Sequence, residues 1–131
     1  MPERFRFPIT PVAADIDELG HVSNQVYLRW VLEAATAHSA ARGWDLAAYQ
    51  KLGSVWVVRR HELDYLGQVT LGQSIIAETW VDSWKGASCV RKTELLRGEQ
   101  VVLRAATTWA FMSLASGRPQ RIPEQLLAAF Q

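Results

Sequence analysis

Cys89 is the only cysteine among 131 residues. No intrachain disulfide can form, and no Cys/His spacing of the zinc type is present. Both facts fit a reducing compartment. An excess of one charge sign is also lacking. Fourteen Lys and Arg stand against thirteen Asp and Glu, a formal net charge of +1, so no global field points to nucleic acid or an anionic membrane. No apolar stretch approaches the ~18 residues of a membrane span. The opening MPERFRFPITP has no apolar run like a signal peptide, and there are no repeats or low-complexity segments. The expectation is one soluble, cytoplasmic domain over residues 1–131, without nucleic acid, membrane or metal among its partners.

What is present is a hydrophobic fraction of 49%, enough for a packed core. It is concentrated first in one helix pattern. Tyr27, Trp30, Val31, Ala34, Ala35 and His38 recur at i, i+3, i+4, i+7, i+8 and i+11, and Leu28 and Leu32 widen the stripe. So broad an apolar face predicts a helix that is largely enclosed. Ser23 or Asn24 is the candidate N-cap and Gly43 the stop. Five alanines between positions 34 and 41 allow close approach of neighbouring strands.

Elsewhere the period is two. Phe5, Phe7 and Ile9 alternate in a segment from Phe5 to Val12, where Pro8 and Pro11 predict a sheet edge. A short helical turn at Leu46 to Leu52 precedes four strands: Ser54 to Leu66, Ser74 to Trp84, Ala87 to Leu96 and Val101 to Leu114. In the second, Trp80 and Trp84 share the face of Glu78 and Asp82. Glycines in the three short links predict hairpins and an antiparallel meander. Pro123 opens a short helix to Phe130. The expected architecture is α+β, one long central helix wrapped by a curved antiparallel sheet of about five strands.

Between the first strand and the helix runs DIDELGHVSNQVY, Asp15 to Tyr27. On its own, an aspartate in a turn before a helix is a capping residue. The segment could nonetheless carry chemistry at a carbonyl, which needs an activated water or a nucleophile and a donor for the charge that develops on the oxygen. A carboxylate just before the helix can supply the first. Free N–H groups of the first turn, near Asn24 to Val26, can supply the second.

This stretch resembles the signature of hot-dog-fold acyl thioesterases of the 4-hydroxybenzoyl-CoA thioesterase type, which runs Asp-x-Asp-x-x-Gly-His-Val-Asn-Asn-x-x-Tyr. Leu63-Asp64-Tyr65-Leu66, Leu71-Gly72, Ala77-Glu78-Thr79-Trp80, Thr108-Trp109-Ala110-Phe111 and Gly117-Arg118-Pro119 look like the family's later strands and turns, in the right order. Ser23 replaces the first family asparagine. Leu19 stands where related plant acyl-carrier-protein thioesterases have an asparagine. The resemblance implies a hot-dog fold and hydrolysis of acyl-CoA or acyl-carrier-protein thioesters without cofactor or metal, CoA being part of the substrate. It also implies a homodimer or homotetramer with the site between subunits. It makes Asp17 the base or nucleophile, aided by His21 and Asn24. Gly20, Val22, Tyr27, Arg59 and Arg60 are the substrate-binding candidates. Arg59 and Arg60 are drawn, for CoA phosphates, from a wider basic set of Arg91, Lys92, Arg104, Arg118 and Arg121.

Plainer roles are expected for Asp15 as a turn or cap, for Glu33 as an ion pair with Arg29, and for His61 as structural. The tryptophans Trp56, Trp80, Trp84 and Trp109 are expected in core or interface, with one or two lining a pocket. The competing function is a non-catalytic acyl-CoA or acyl-carrier-protein binding module on the same fold.

Overall fold

A computed structural model of the protein describes residues 2–131. Its elements are β1 (Phe5–Ile9), a 3-10 turn (Ala13–Asp15), α1 (Asn24–Ala41), α2 (Leu46–Leu52), β2 (Ser54–Tyr65), β3 (Ile75–Lys85), β4 (Ser88–Arg97), β5 (Gln100–Ser113) and α3 (Glu124–Ala129).

The α1 helix forms where the period of 3.6 predicts it. Ser23 is the N-cap, its side chain accepting from the Gln25 N–H at 3.4 Å. Asn24 is therefore the first helical residue rather than the cap. The buried face consists of Val26, Tyr27, Trp30, Val31, Ala34, Ala35 and His38, the stripe read from the sequence. Val31 is 1% exposed and Trp30 2%; burying such side chains contributes roughly 1.5–3 kcal/mol each. The helix lies against β3 and β1.

The sheet order is β1-β3-β4-β5-β2, antiparallel throughout. Only β3, β4 and β5 form the meander expected of all four later strands. The link from β2 is not a hairpin: β2 pairs with β5 at the far edge. Residues 66–74 carry the chain across to β3, burying Val69 fully and bonding Val69 O to the Val22 N–H at 2.8 Å. A loop with its own core residue is a crossover, and a count of its glycines could not distinguish it from a turn. Gly67 belongs to this crossing because a Cβ there would meet Val102 Cγ1 at 3.0 Å.

β1 is an edge strand, as its prolines predict, and pairs Phe5 to Ile9 with Thr79 to Ile75. On β3 the alternation Ile75, Ala77, Thr79, Val81 is buried as read. A bulge between Val81 and Ser83 then shifts the register and overturns the expectation that Trp80 and Trp84 share a face. Trp80 stays outside, with the Arg4 guanidinium 3.9 Å above its ring. Trp84 turns inward to pair with Cys89. A one-residue bulge inverts every side chain beyond it. The core accordingly has two parts. One surrounds Trp30, Val31, Ile75, Leu95 and Leu103; the other is aromatic, built on Tyr49, Phe111, Leu126 and Phe130 with Trp44, Trp56, Trp84 and Trp109 against it.

Candidate active site

The polar segment before α1 folds back on itself. The Asp17 N–H donates to His21 O at 2.8 Å, the Gly20 N–H to Asp17 O at 3.1 Å and the Ser23 N–H to Asp15 O at 2.9 Å. Ile16 and Val22 form an isolated bridge. Gly20 takes φ +83° at the tip, a left-handed conformation that glycine adopts without steric cost. The helix entrance is thus held beside the two aspartates.

Their environments differ sharply. Asp15 is 3% exposed. Its Oδ2 accepts from the Val12 N–H at 2.9 Å, and its Oδ1 from Arg29 Nη2 at 2.7 Å. The Val12 N–H, joined by Arg29, holds this carboxyl below its usual range against the opposing effect of burial. Asp15 is a structural anchor, in keeping with its expected turn role. Arg29 also reaches Glu33 at 3.3 Å, the ion pair read from their spacing. The stronger Arg29–Asp15 pair, across 14 positions, carried no local signal.

Asp17 is exposed. Its Oδ1 accepts from the Leu19 N–H at 2.9 Å and the His21 N–H at 3.4 Å, which fixes the carboxylate and leaves Oδ2 without a protein donor among the described residues. His21 meets Asp17 through its backbone; its imidazole makes no hydrogen bond among the described residues. At the helix start, the Val26 N–H turns back to Ser23 O at 3.0 Å and the Gln25 N–H is used by Ser23 Oγ. The exposed Asn24 keeps a backbone N–H without a partner among the described residues, with the helix dipole behind it.

The substrate-binding candidates divide. Gly20 and the half-buried His21 border the exposed Asp17. Val22 is 4% exposed and Tyr27 4%, and the Tyr27 hydroxyl donates to Gly67 O at 3.1 Å, so both are packed into the fold. Tyr65, which had no assigned role, donates from its hydroxyl to Asn24 O at 3.1 Å and brings the end of β2 to the helix entrance. Arg59 and Arg60 lie at a bulge in β2, on the sheet edge away from the strands that carry α1. Arg60 pairs with Glu62 at 2.9 Å, and Arg59 reaches Met112 Sδ at 3.6 Å. His61 is bound to Thr107 at 3.0 Å, the structural role expected.

One of the basic set is not at the surface. Arg91 is 6% exposed and donates through Nη1 to His38 Nδ1 at 2.9 Å and to Thr79 Oγ1 at 3.0 Å. It lines a cavity of about 210 Å³ between the C-terminal half of α1, α2 and the inner sheet face. The sequence did carry a signal for this. Cys89, Arg91, Thr93 and Leu95 alternate on one strand, so Arg91 shares the face of Leu95.

Among known proteins, the chain is 27% identical over 129 residues to the acyl-CoA thioesterase YbgC of Haemophilus influenzae, covering 96% of this chain and 93% of that one. Its fold is shared with a 1,4-dihydroxy-2-naphthoyl-CoA thioesterase from Synechocystis, at a TM-score of 0.88 and 17% identity over 97% and 95% of the two chains. It is shared too with a Staphylococcus aureus protein solved in complex with CoA, at a TM-score of 0.91 and 13% identity over 98% and 82%. These neighbours identify the curved sheet and its helix as the hot-dog fold of thioesterases. With the sequence model of the Thioesterase-like superfamily matching residues 11–130, the chain belongs to that family.

Proposed function

We propose that this chain hydrolyses acyl-CoA thioesters, with Asp17 as the catalytic carboxylate. The observation that carries the reading is the juxtaposition at the entrance of α1: an exposed carboxylate with one oxygen fixed by two backbone N–H groups, in the loop that leads to the unpartnered Asn24 N–H of the first helical residue. The similarity to YbgC, an acyl-CoA thioesterase, supports acyl-CoA as the substrate class.

Asp17 Oδ2 takes a proton from water as the oxygen attacks the thioester carbonyl. The Asn24 N–H and the helix dipole receive the oxyanion. The tetrahedral intermediate then expels the CoA sulfur, which leaves as a thiol once it gains the proton. In the other variant Asp17 itself attacks, and water cleaves the resulting anhydride. Label in Asp17 after single turnover in 18O-water identifies the anhydride route, since the general-base route leaves none there. His21 borders the substrate, and Arg59 and Arg60 meet the CoA phosphates.

The chain acts as a homodimer, and β2 is its contact. Of the two sheet edges, β1 has five residues and contains Pro8, whereas β2 offers 12 residues without proline and exposes Val57 and Tyr65. A long unprotected edge is a template for pairing. Antiparallel pairing of two β2 strands joins the two sheets, with the site completed between subunits in the cytoplasm.

The test is thiol release from short, long and aromatic acyl-CoAs. Turnover of at least one class, lost in Asp17→Asn, is expected. Binding without turnover across the whole panel would identify a carrier instead.

A further inference from the structure

The aromatic half of the core contains a group that the helix-entrance chemistry does not use. Arg91 is almost fully buried, yet both of its hydrogen bonds go to neutral acceptors from Nη1 alone. Nε and Nη2 have no partner among the described residues, and no carboxylate there pairs with the guanidinium. A buried cation without a counter-charge is costly unless something compensates it. Burial lowers Arg91 to about 10, which still leaves it charged at neutral pH.

Its surroundings are organised. Arg91 sits in the wall of the 210 Å³ cavity with Trp44, Tyr49, Trp56, Trp84, Trp109 and Phe130. The Phe130 ring lies 5.6 Å from the guanidinium carbon. In the same wall, the indole N–H of Trp109 is buried without an acceptor. The cavity thus offers aromatic faces together with the unused N–H groups of Arg91. The one acid on its lining, Asp45, is exposed at the rim and caps α2 through the Ala48 N–H. With Thr36 and Leu46, also exposed, it marks a mouth open to solvent.

We propose that this cavity binds a small aromatic carboxylate, with the ring among the tryptophans and the carboxylate on the Arg91 guanidinium. An apolar cavity of roughly 150 Å³ accommodates benzene, so 210 Å³ takes one ring and its carboxylate. A guanidinium presents a fork that matches a carboxylate, and aromatic walls favour a flat ring over an alkyl chain. The site lies along α1 from the Asp17 loop. From Asn24 to Ser39, which lines the cavity, is about 22 Å at about 1.5 Å per residue. The inference does not depend on the thioester reading.

The experiment is calorimetric titration of the full chain with benzoate and phenylacetate, and with benzamide as a neutral ligand of the same shape. No CoA is present and hydrolysis is not measured, so a failed thioester assay leaves this test intact. Benzoate is expected to bind at least tenfold more tightly than benzamide and to perturb tryptophan fluorescence. Arg91→Met should erase the difference. Arg91→Lys keeps the charge but loses the planar fork, and should weaken benzoate several-fold. If Arg91→Met does not fold, the benzamide comparison and Arg91→Lys decide the matter. Equal affinity for benzoate and benzamide, no binding of either, or a carboxylate preference that survives Arg91→Met would each overturn the proposal.

Discussion

Arg91 Nη1 donates to His38 Nδ1 across 2.9 Å, so His38 is an acceptor on that nitrogen and a neutral imidazole with its proton on Nε2. The ring is stacked on Phe5 at 4.9 Å and meets Phe130 edge-on at 5.0 Å. Burial first, then Arg91 and Arg42 against the weaker pull of Glu3, lowers its pKa from 6.5 to about 4.

Stability should therefore fall in acid through this one residue. The unfolded chain protonates His38 near pH 6.5, whereas the folded chain resists until about pH 4, so the native state loses ground as pH drops through that window. A fully expressed shift corresponds to about 3 kcal/mol. Urea melts at pH 7 and pH 4.5 measure it. His38→Gln keeps an acceptor for Arg91 and should flatten the slope.

Asp17→Asn should lower thioester turnover by about 10³-fold or more, the scale of removing a general base or nucleophile. The melting temperature should stay nearly unchanged, because an amide oxygen still accepts from the Leu19 and His21 N–H groups. Thiol release and a thermal melt on the same sample check both halves.

Asp15 and Arg29 should separate by stability. Asp15→Ala strands the Val12 N–H and the Arg29 guanidinium, and should cost about 1–3 kcal/mol. Arg29→Met should cost less, since the guanidinium is half exposed and the Val12 N–H remains on the Asp15 carboxylate. Denaturant midpoints rank the two, and the reverse order would contradict the anchoring role of Asp15.

Gly20→Ala places a Cβ at φ +83°, with nothing within 4 Å for it to strike. The penalty is then conformational, about 1–2 kcal/mol. It should appear as a lower melting temperature and as a turnover loss from a displaced Asp17 loop.

Much of this molecule is legible from short-range periodicity. The buried stripe of α1, the alternation on β3 before its bulge and the edge role of β1 all follow from spacing. The motif around Asp17 also fixed where the helix entrance lies. What spacing could not give depends on partners distant in the chain. The crossing of residues 66–74 depends on Val69 finding Val22. The place of β2 beside β5 depends on a 12-residue strand meeting a 14-residue one. Arg91 joins the basic set by residue type, whereas its place in the alternation of β4 puts it inside.

The bulge at Asp82 has a further consequence. β3 serves both parts of the interior: Ile75 and Ala77 furnish the aliphatic half, and Val81 with, past the bulge, Trp84 furnish the aromatic half. Deleting Asp82 would restore an unbroken pleat and leave Trp84 opposite Cys89 and facing inward, so the surplus residue is what reconciles the even spacing of Trp80 and Trp84 with their opposite faces.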